Sequence, residues 1–506
     1  MTFTLKLAAG AAAAALLAGS ACAADKATLT QSADPYFAEG QATLKRVMEQ
    51  KTNTAKAKNI ILFVGDGMSL PTVTAARIFE GQKKGMGDKA ETNLLSFEKF
   101  PYSALSETYT SDGMIADSAP TAAAMMTGIK SPNGTIGVTS AVKQGDCKAG
   151  LEHSVPTMLE MAETAGLSTG VITTARLTHA TPAATYAHTA HRDWEADKNL
   201  PEDAAAAGCK DIARQLIESP YGNGLEVAMG GGRTNFIPAT MDDPEDAGKK
   251  GVRKDGRDLT AEWVKKAPNS AYVWNKTEFD AIDVSKTDHL LGLFNRSHME
   301  YEADIANDKA GEPDLAAMTT KSIELLSKNQ KGFFLMVEAG RIDHAHHEGN
   351  AYRALEDTVE LSEAVKAAMS KVNLEETLII VTADHSHTFS ISGYADRGTN
   401  ILGLATEGGK VLKGDDDKPY TILGYMNGPG ATKDGARADL SNVDTTAPDF
   451  LQQSLVPMSS ETHAGDDVGI FAVGPWAHLF QGTVGQQYIF HVMDYASKIS
   501  EQAASM

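Results

Sequence analysis

Three stretches of this chain are unbroken apolar runs that end on an ionisable residue. Asn59-Ile60-Ile61-Leu62-Phe63-Val64 leads into Gly65-Asp66-Gly67, Phe333-Phe334-Leu335-Met336-Val337 into Glu338, and Leu378-Ile379-Ile380-Val381-Thr382-Ala383 into Asp384-His385. A fourth run, Val468-Gly469-Ile470-Phe471-Ala472-Val473, comes late in the sequence. Runs of this length, rich in Ile, Val and Phe and without alternation, predict strands buried on both faces. Between them the spacing of apolar residues predicts helices over 157–165, 211–218, 316–328 and 351–372. Strand and helix in alternation predict an α/β fold with a doubly wound, mostly parallel central sheet flanked by helices. Ligands of such sheets gather at the carboxyl ends of the strands, which is where Asp66, Glu338, Asp384 and His385 fall. From about 393 to 458 the texture changes to Gly, Asp and Lys with short apolar pieces, and this predicts a small insertion. Residues 241–258 read as a charged surface loop.

Charge narrows the partners. With 46 Lys+Arg against 66 Asp+Glu the chain carries a formal charge of -20. Nucleic-acid affinity needs clustered cations that release counterions, so no nucleic-acid binding is expected, nor binding to an anionic membrane surface. Residues 1–23 carry one cation, Lys6, then a Leu/Ala/Gly run, then Ala21-Cys22-Ala23. This is the pattern of a secretory signal peptide, which leaves residues 24–506 as the mature chain, exported to the periplasm or secreted. An anchoring helix is the alternative, but the run is short for a bilayer span. No other stretch approaches a membrane span, and the polar, Ala-rich end offers no tail for a lipid anchor. Cys147 and Cys209 are the cysteines left after the leader, and an even pair in an exported chain predicts one disulfide. Two reduced thiols are the reading if export fails.

The densest chemistry lies in Glu338-Ala339-Gly340-Arg341-Ile342-Asp343-His344-Ala345-His346-His347, two acids and three histidines within ten residues. His385, His387 and His463 follow other strand-like runs or precede them. Imidazole with carboxylate and no cysteine suits zinc or a similar divalent ion at a catalytic site. The alternative is a solvated His/Asp loop, which loses ground because three such clusters fall at strand ends. Asp66 between two glycines allows a sharp turn and close approach of a bound group, though Asp-Gly is also a plain turn. Asp117-Ser118-Ala119-Pro120 opens a helical run, so Ser118 is either a simple cap or a hydroxyl placed at the positive helix end to bind or attack a phosphoryl group.

Taken in order, these segments closely resemble the alkaline phosphatase family, and its vertebrate-type branch most. The resemblance rests on Gly65-Asp66-Gly67-Met68-Ser69, Asp117-Ser118-Ala119, His179-Ala180-Thr181-Pro182-Ala183, His191-Arg192, Val337-Glu338 with Asp343 to His347, Ala383-Asp384-His385-Ser386-His387, and Glu461-Thr462-His463-Ala464-Gly465. It spans about residues 34–497, and the ordered set is far more specific than any one motif. The resemblance implies a phosphomonoesterase acting through a phosphoserine on Ser118, with Arg192 as the guanidinium clamp on the phosphate. It implies two zinc ions and one magnesium per subunit. Asp343, His347 and His463 would hold one zinc, Asp66, Asp384 and His385 the second, and Asp66, Thr181 and Glu338 the magnesium. His179, His344 and Asp117 would stand behind these ligands, and His346 and His387 would support rather than ligate. It also implies a Cys147–Cys209 disulfide, a crown-like insertion after Gly393, and a homodimer whose N-terminal helix, about residues 35–50, embraces the partner. Asn295 stands where vertebrate members have an acid at their calcium site, which argues against calcium here. Ala122 stands where the related sulfatases have arginine, which argues against a sulfatase; the remaining rivals are a phosphodiesterase and a non-enzymatic phosphate or metal binder.

Overall fold

The computed structural model describes residues 30–506, so the expected leader, with Cys22, lies outside the described residues. The unit that ends at Lys51 contains a short turn, Thr30–Ala33, and the helix Pro35–Met48, close to the expected 35–50. Asp34 opens this helix by accepting the Tyr36 N–H at 2.8 Å, and Pro35 suits the first helical position. No residue of the helix is buried.

Thr52–Met506 form the second unit, built on a ten-stranded sheet. Its strands are β1 (Asn59–Gly65), β2 (Tyr102–Glu107), β3 (Ser168–Arg176), β4 (Val227–Gly231), β5 (Ser270–Val273), β6 (His289–Leu293), β7 (Phe333–Ala339), β8 (Thr377–Ala383), β9 (Val468–Val473) and β10 (Thr483–Gly485). They lie in the order β10-β2-β9-β8-β1-β7-β3-β4-β6-β5. Every neighbouring pair is parallel except those made by β9, which runs antiparallel to both β8 and β2. At the centre, Leu62 of β1 sits between Met336 and Ile380.

The strands β1, β7 and β8 are buried along their whole length, as their unbroken apolar runs require. Side chains alternate between faces. Ile60, Leu62 and Val64 join a core with Ala122, Met158 and Ile489, while Ile61 and Phe63 join another with Val73, Met318 and Leu355. Helices therefore cover both faces: Ser118–Thr127, Met158–Thr164 and Tyr488–Ser497 on one, Leu70–Lys83, Leu315–Leu326 and Ala351–Lys371 on the other. Three of the four predicted helices begin one residue later or earlier than expected, where Thr157, Asp211 and Asp314 accept backbone N–H groups as caps.

The loop at 241–258 is less of a surface feature than its charge suggests. Arg253 and Asp243 are both buried, Arg253 gripping Asp211 at 2.9 and 3.1 Å and Asp243 receiving Arg233 at 2.8 and 2.9 Å. Buried charges need partners, and here each has a two-point guanidinium–carboxylate contact. A separate three-stranded sheet joins Phe389–Ile391, Leu423–Gly428 and Ser454–Pro457. In it Phe389 pairs with Tyr425. Cys147 and Cys209 form a disulfide, with their Cα atoms 6.0 Å apart.

Candidate active site

The carboxyl ends of β1, β7 and β8 meet at one edge of the sheet because these three strands are parallel neighbours. Asp66 follows β1, Glu338 lies near the end of β7, and Asp384-His385 follow β8. The helix Arg341–His347 starts directly after β7, and its four-residue spacing puts Asp343 and His347 on one face. Since β9 is reversed, its beginning, not its end, lies at this edge. His463 just before it pairs with His387 across a short antiparallel bridge.

Two groups of potential ligands result, and a third shares Asp66. In the first, Asp343 Oδ1 lies 3.4 Å from His347 Nε2 and 3.3 Å from His463 Nε2. The two imidazole nitrogens are themselves 3.1 Å apart. His347 Nδ1 donates to the Glu461 carbonyl at 2.6 Å and His463 Nδ1 to the Ala116 carbonyl at 2.7 Å. Each ring therefore turns a bare Nε2 lone pair toward the other and toward a carboxylate, an arrangement that a divalent cation satisfies. In the second group, His385 Nε2 is 3.3 Å from Asp66 Oδ1 and 3.4 Å from Asp384 Oδ2. The third comprises Asp66, His179 and Glu338, with Thr181 beside Glu338.

Four buried polar atoms at this edge have no hydrogen-bond partner: Asp384 Oδ2, Glu338 Oε1, Thr181 Oγ1 and His179 Nδ1. Such orphans are rare in folded proteins, and a set of oxygens with an imidazole nitrogen fits hard or borderline divalent ions. Charge agrees. Burial, then the neighbouring carboxylates Asp384, Asp343 and Glu338, push Asp66 well above the usual carboxylate range. Burial likewise pushes Glu338 up to about 8 and raises Asp384. For Asp343 burial is outweighed by the neighbouring His347, His387 and His463, which hold it well below its ordinary value. Packed carboxylates that repel one another call for positive charge.

Ser118 is the first residue of its helix, capped by Asp117, whose Oδ1 accepts the Ala119 N–H at 2.8 Å. Its hydroxyl lies 2.9 Å from His385 Nε2 and 3.3 Å from Asp66 Oδ1. Asp117 also receives Arg192 Nη1 at 2.9 Å, so one acid both opens the helix and aims the guanidinium. Arg192 Nη2 reaches His179 Nε2 at 3.1 Å. The structure thus brings Asp66, Asp117, Ser118, His179, Thr181, Arg192, Glu338, Asp343, His344, His347, Asp384, His385 and His463 to the same end of the sheet. His346 has both ring nitrogens engaged, with Thr72 Oγ1 at 2.9 Å and Tyr425 Oη at 2.8 Å, so it braces rather than ligates. His387 lies between Asp343 Oδ1 at 2.8 Å and Glu461 Oε2 at 2.5 Å; burial is outweighed by these two carboxylates, which push its imidazole up to about 9.

Other contributors went unread in the sequence. His298 packs its ring 4.0 Å from that of His344 and 5.3 Å from that of His179, and Arg176 holds it by both ring nitrogens. Thr173 donates to Glu338, and Gln486 Nε2 donates to the Asp384 carbonyl at 2.7 Å. No local pattern marks these three; only sheet order brings them in. Glu461 stood two residues from His463, and that proximity was the available signal.

A parallel α/β sheet whose strand ends present a serine, an arginine and clustered histidines and carboxylates defines a metal-dependent hydrolase of the phosphoryl-transfer type. The alkaline phosphatase profile matches residues 57–499. The rat tissue-nonspecific isozyme of alkaline phosphatase is 44% identical over 494 residues, covering 96% of this chain and 92% of the relative. Alkaline phosphatase of the cod Gadus morhua is 44% identical over 480 residues, 93% of this chain and 98% of the relative. In the solved structure of Thermus thermophilus alkaline phosphatase the fold recurs with a TM-score of 0.63 at 22% identity, covering 91% of this chain and 97% of that one. The chain belongs to the alkaline phosphatase family. It is a metal-dependent hydrolase of phosphate monoesters, and among its described residues no helix is long and apolar enough to cross a membrane.

Proposed function

We propose that the enzyme releases inorganic phosphate through a phosphoserine on Ser118. The observation that carries this reading is the position of Ser118 Oγ, 2.9 Å from His385 Nε2, at the positive end of its own helix and beside the Asp117–Arg192 pair. Asp343, His347 and His463 would hold one zinc, Asp66, Asp384 and His385 a second, and Asp66, Thr181 and Glu338 a magnesium. When bound, these ions supply Lewis-acid stabilisation of the attacking and leaving oxygens and lower the proton affinity of the nucleophile.

In the first half-reaction the bond from Ser118 Oγ to phosphorus forms as the ester bond breaks, and the alcohol leaves with a proton. In the second, water attacks the phosphoserine, phosphate departs and the serine is restored. Arg192, aimed by Asp117, offers a planar fork to two phosphate oxygens in both steps. The helix start at Ser118 adds backbone N–H groups that favour the anionic phosphate. His179 and His344 stand behind the ligands.

The same reading includes an exported mature chain from residue 24, a crown-like insertion over about 393–458, and a homodimer. The disulfide supports export. The exposed Leu44, Val47 and Met48 on the helix Pro35–Met48 support a partner subunit. Ser118→Ala should keep its metal content, read by elemental analysis, while losing phosphate release from an aryl phosphate and all acid-stable label from a labelled phosphate ester. Wild-type turnover in that variant would remove Ser118 as nucleophile.

A further inference from the structure

Glu461 has no part in the reaction outlined above, yet it is only 1% exposed and every polar group it owns is engaged. Its N–H donates to the His347 carbonyl at 2.9 Å, and its own carbonyl accepts His347 Nδ1–H at 2.6 Å. Its Oε1 accepts the Thr388 N–H at 2.7 Å and the Thr388 hydroxyl at 2.6 Å. Its Oε2 lies 2.5 Å from His387 Nδ1, and the far nitrogen of that ring is 2.8 Å from Asp343 Oδ1. The next residue, Thr462, is tied through its N–H and hydroxyl to the Asn427 side chain, at 3.0 and 2.9 Å. Behind it, Gly428 holds φ at 137°, and a Cβ there would come within 3.2 Å of Glu461 Cβ.

We infer that Glu461 is the positioning residue of the Asp343–His347–His463 centre, an inference that rests on the reading of that centre as a metal site. The backbone of Glu461 fixes which nitrogen of His347 is bare. Its carboxylate fixes Asp343 at one remove. His387 is clamped between two carboxylates, its Nδ1 on Glu461 and its Nε2 on Asp343, so Glu461 fixes the ring that meets Asp343. One acid thereby orients two of the three ligands, while the third, His463, follows it by two residues on the same braced segment. Partners of this kind behind a ligand typically change metal affinity by about 10–100-fold when removed.

The test uses the full-length enzyme. Zinc affinity is measured by competition with a chromophoric chelator, and the cobalt-substituted protein is followed by its visible absorption. Glu461→Gln keeps the shape but puts a neutral amide where a carboxylate oxygen held His387 Nδ1 at 2.5 Å, so the ring is no longer fixed in place against Asp343. The expected result is about a 10–100-fold weaker zinc at one site per chain, a changed cobalt spectrum, and unchanged affinity at the other sites. His387→Gln breaks the same chain from its other end. It should give a loss of the same size, and the double variant should be no worse than either single one, because the two residues act as a unit. Wild-type affinity and spectrum in Glu461→Gln, or additive losses in the double variant, would overturn the inference. His347→Ala separates the two levels of the argument. If it too leaves zinc binding intact, the reading of the centre fails; if it abolishes one site while Glu461→Gln does nothing, only the role of Glu461 fails.

Discussion

Gly67 shows how much one absent side chain can matter. Its φ is 66°, in the left-handed region, and its N–H donates to Asp384 Oδ1 at 2.9 Å. A Cβ there would lie 2.4 Å from His387 Nε2 and 3.3 Å from Asp343 Cα. The sequence pattern anticipates close approach at the Gly-Asp-Gly turn, but by a bound group; what approaches is the ring that holds Asp343. Gly67→Ala should therefore cost about 1–2 kcal/mol in backbone strain and also push His387 off its carboxylate. The expected outcome is a folded protein, by circular dichroism, with reduced zinc content and reduced turnover. Full zinc occupancy in that variant would refute the packing argument. At this scale the ligand residues were legible because they cluster at strand ends, whereas His298, Thr173 and Gln486 were not, since their partners lie 46 or more residues away along the chain.

Elements are joined by charge as well as by apolar packing. The helix Met158–Thr164 opens with Thr157 and Glu160 capping each other, Glu160 Oε2 accepting the Thr157 N–H at 2.9 Å. The other oxygen of Glu160 is 2.7 Å from His188 Nε2, and His188 Nδ1 is 2.9 Å from the Gly137 carbonyl. Burial lowers the proton affinity of His188, but its hydrogen bond to Glu160, the charge of that acid and the Gly137 carbonyl outweigh burial and raise it. A raised folded-state value means that the protonated ring stabilises the fold fully below the unfolded imidazole value of about 6.5, and that this share is lost as pH rises through the folded value. Urea unfolding of the wild type should accordingly weaken over that window, and His188→Gln should flatten the decline. An identical pH slope in the two proteins would show that His188 does not carry it. The helix itself was predictable from its apolar spacing, but the histidine that locks its start was not, because Gly137, Glu160 and His188 belong to separate segments.

Across the whole molecule, the Cys147–Cys209 bond closes a segment of sequence separation 62 that contains β3, Thr181 and Arg192. Constraining a loop of that length in the unfolded chain is worth about 4 kcal/mol. Cys147→Ala/Cys209→Ala should lower the unfolding free energy by about that amount in denaturant titration, with turnover of the folded enzyme close to wild type, because neither sulfur touches the site. Equal stability of the two proteins would mean the bond only decorates a segment already held by β3 and its neighbours. The ten-stranded order behind that segment is where sequence and structure divide the work. Unbroken apolar runs determine by themselves that β1, β7 and β8 are interior strands, since only a strand covered on both faces can bury every residue, and the acids at their ends follow from the same runs. Local composition likewise determines the helix start at Ser118. What only the tertiary structure decided is which strand ends lie side by side, that β9 runs backwards and so delivers His463 by its beginning, and that Glu461 and His387 stand behind Asp343. The physical reason is that strand order and direction are set by long-range burial and hydrogen bonding between segments hundreds of residues apart, and short-range pattern carries no record of that pairing.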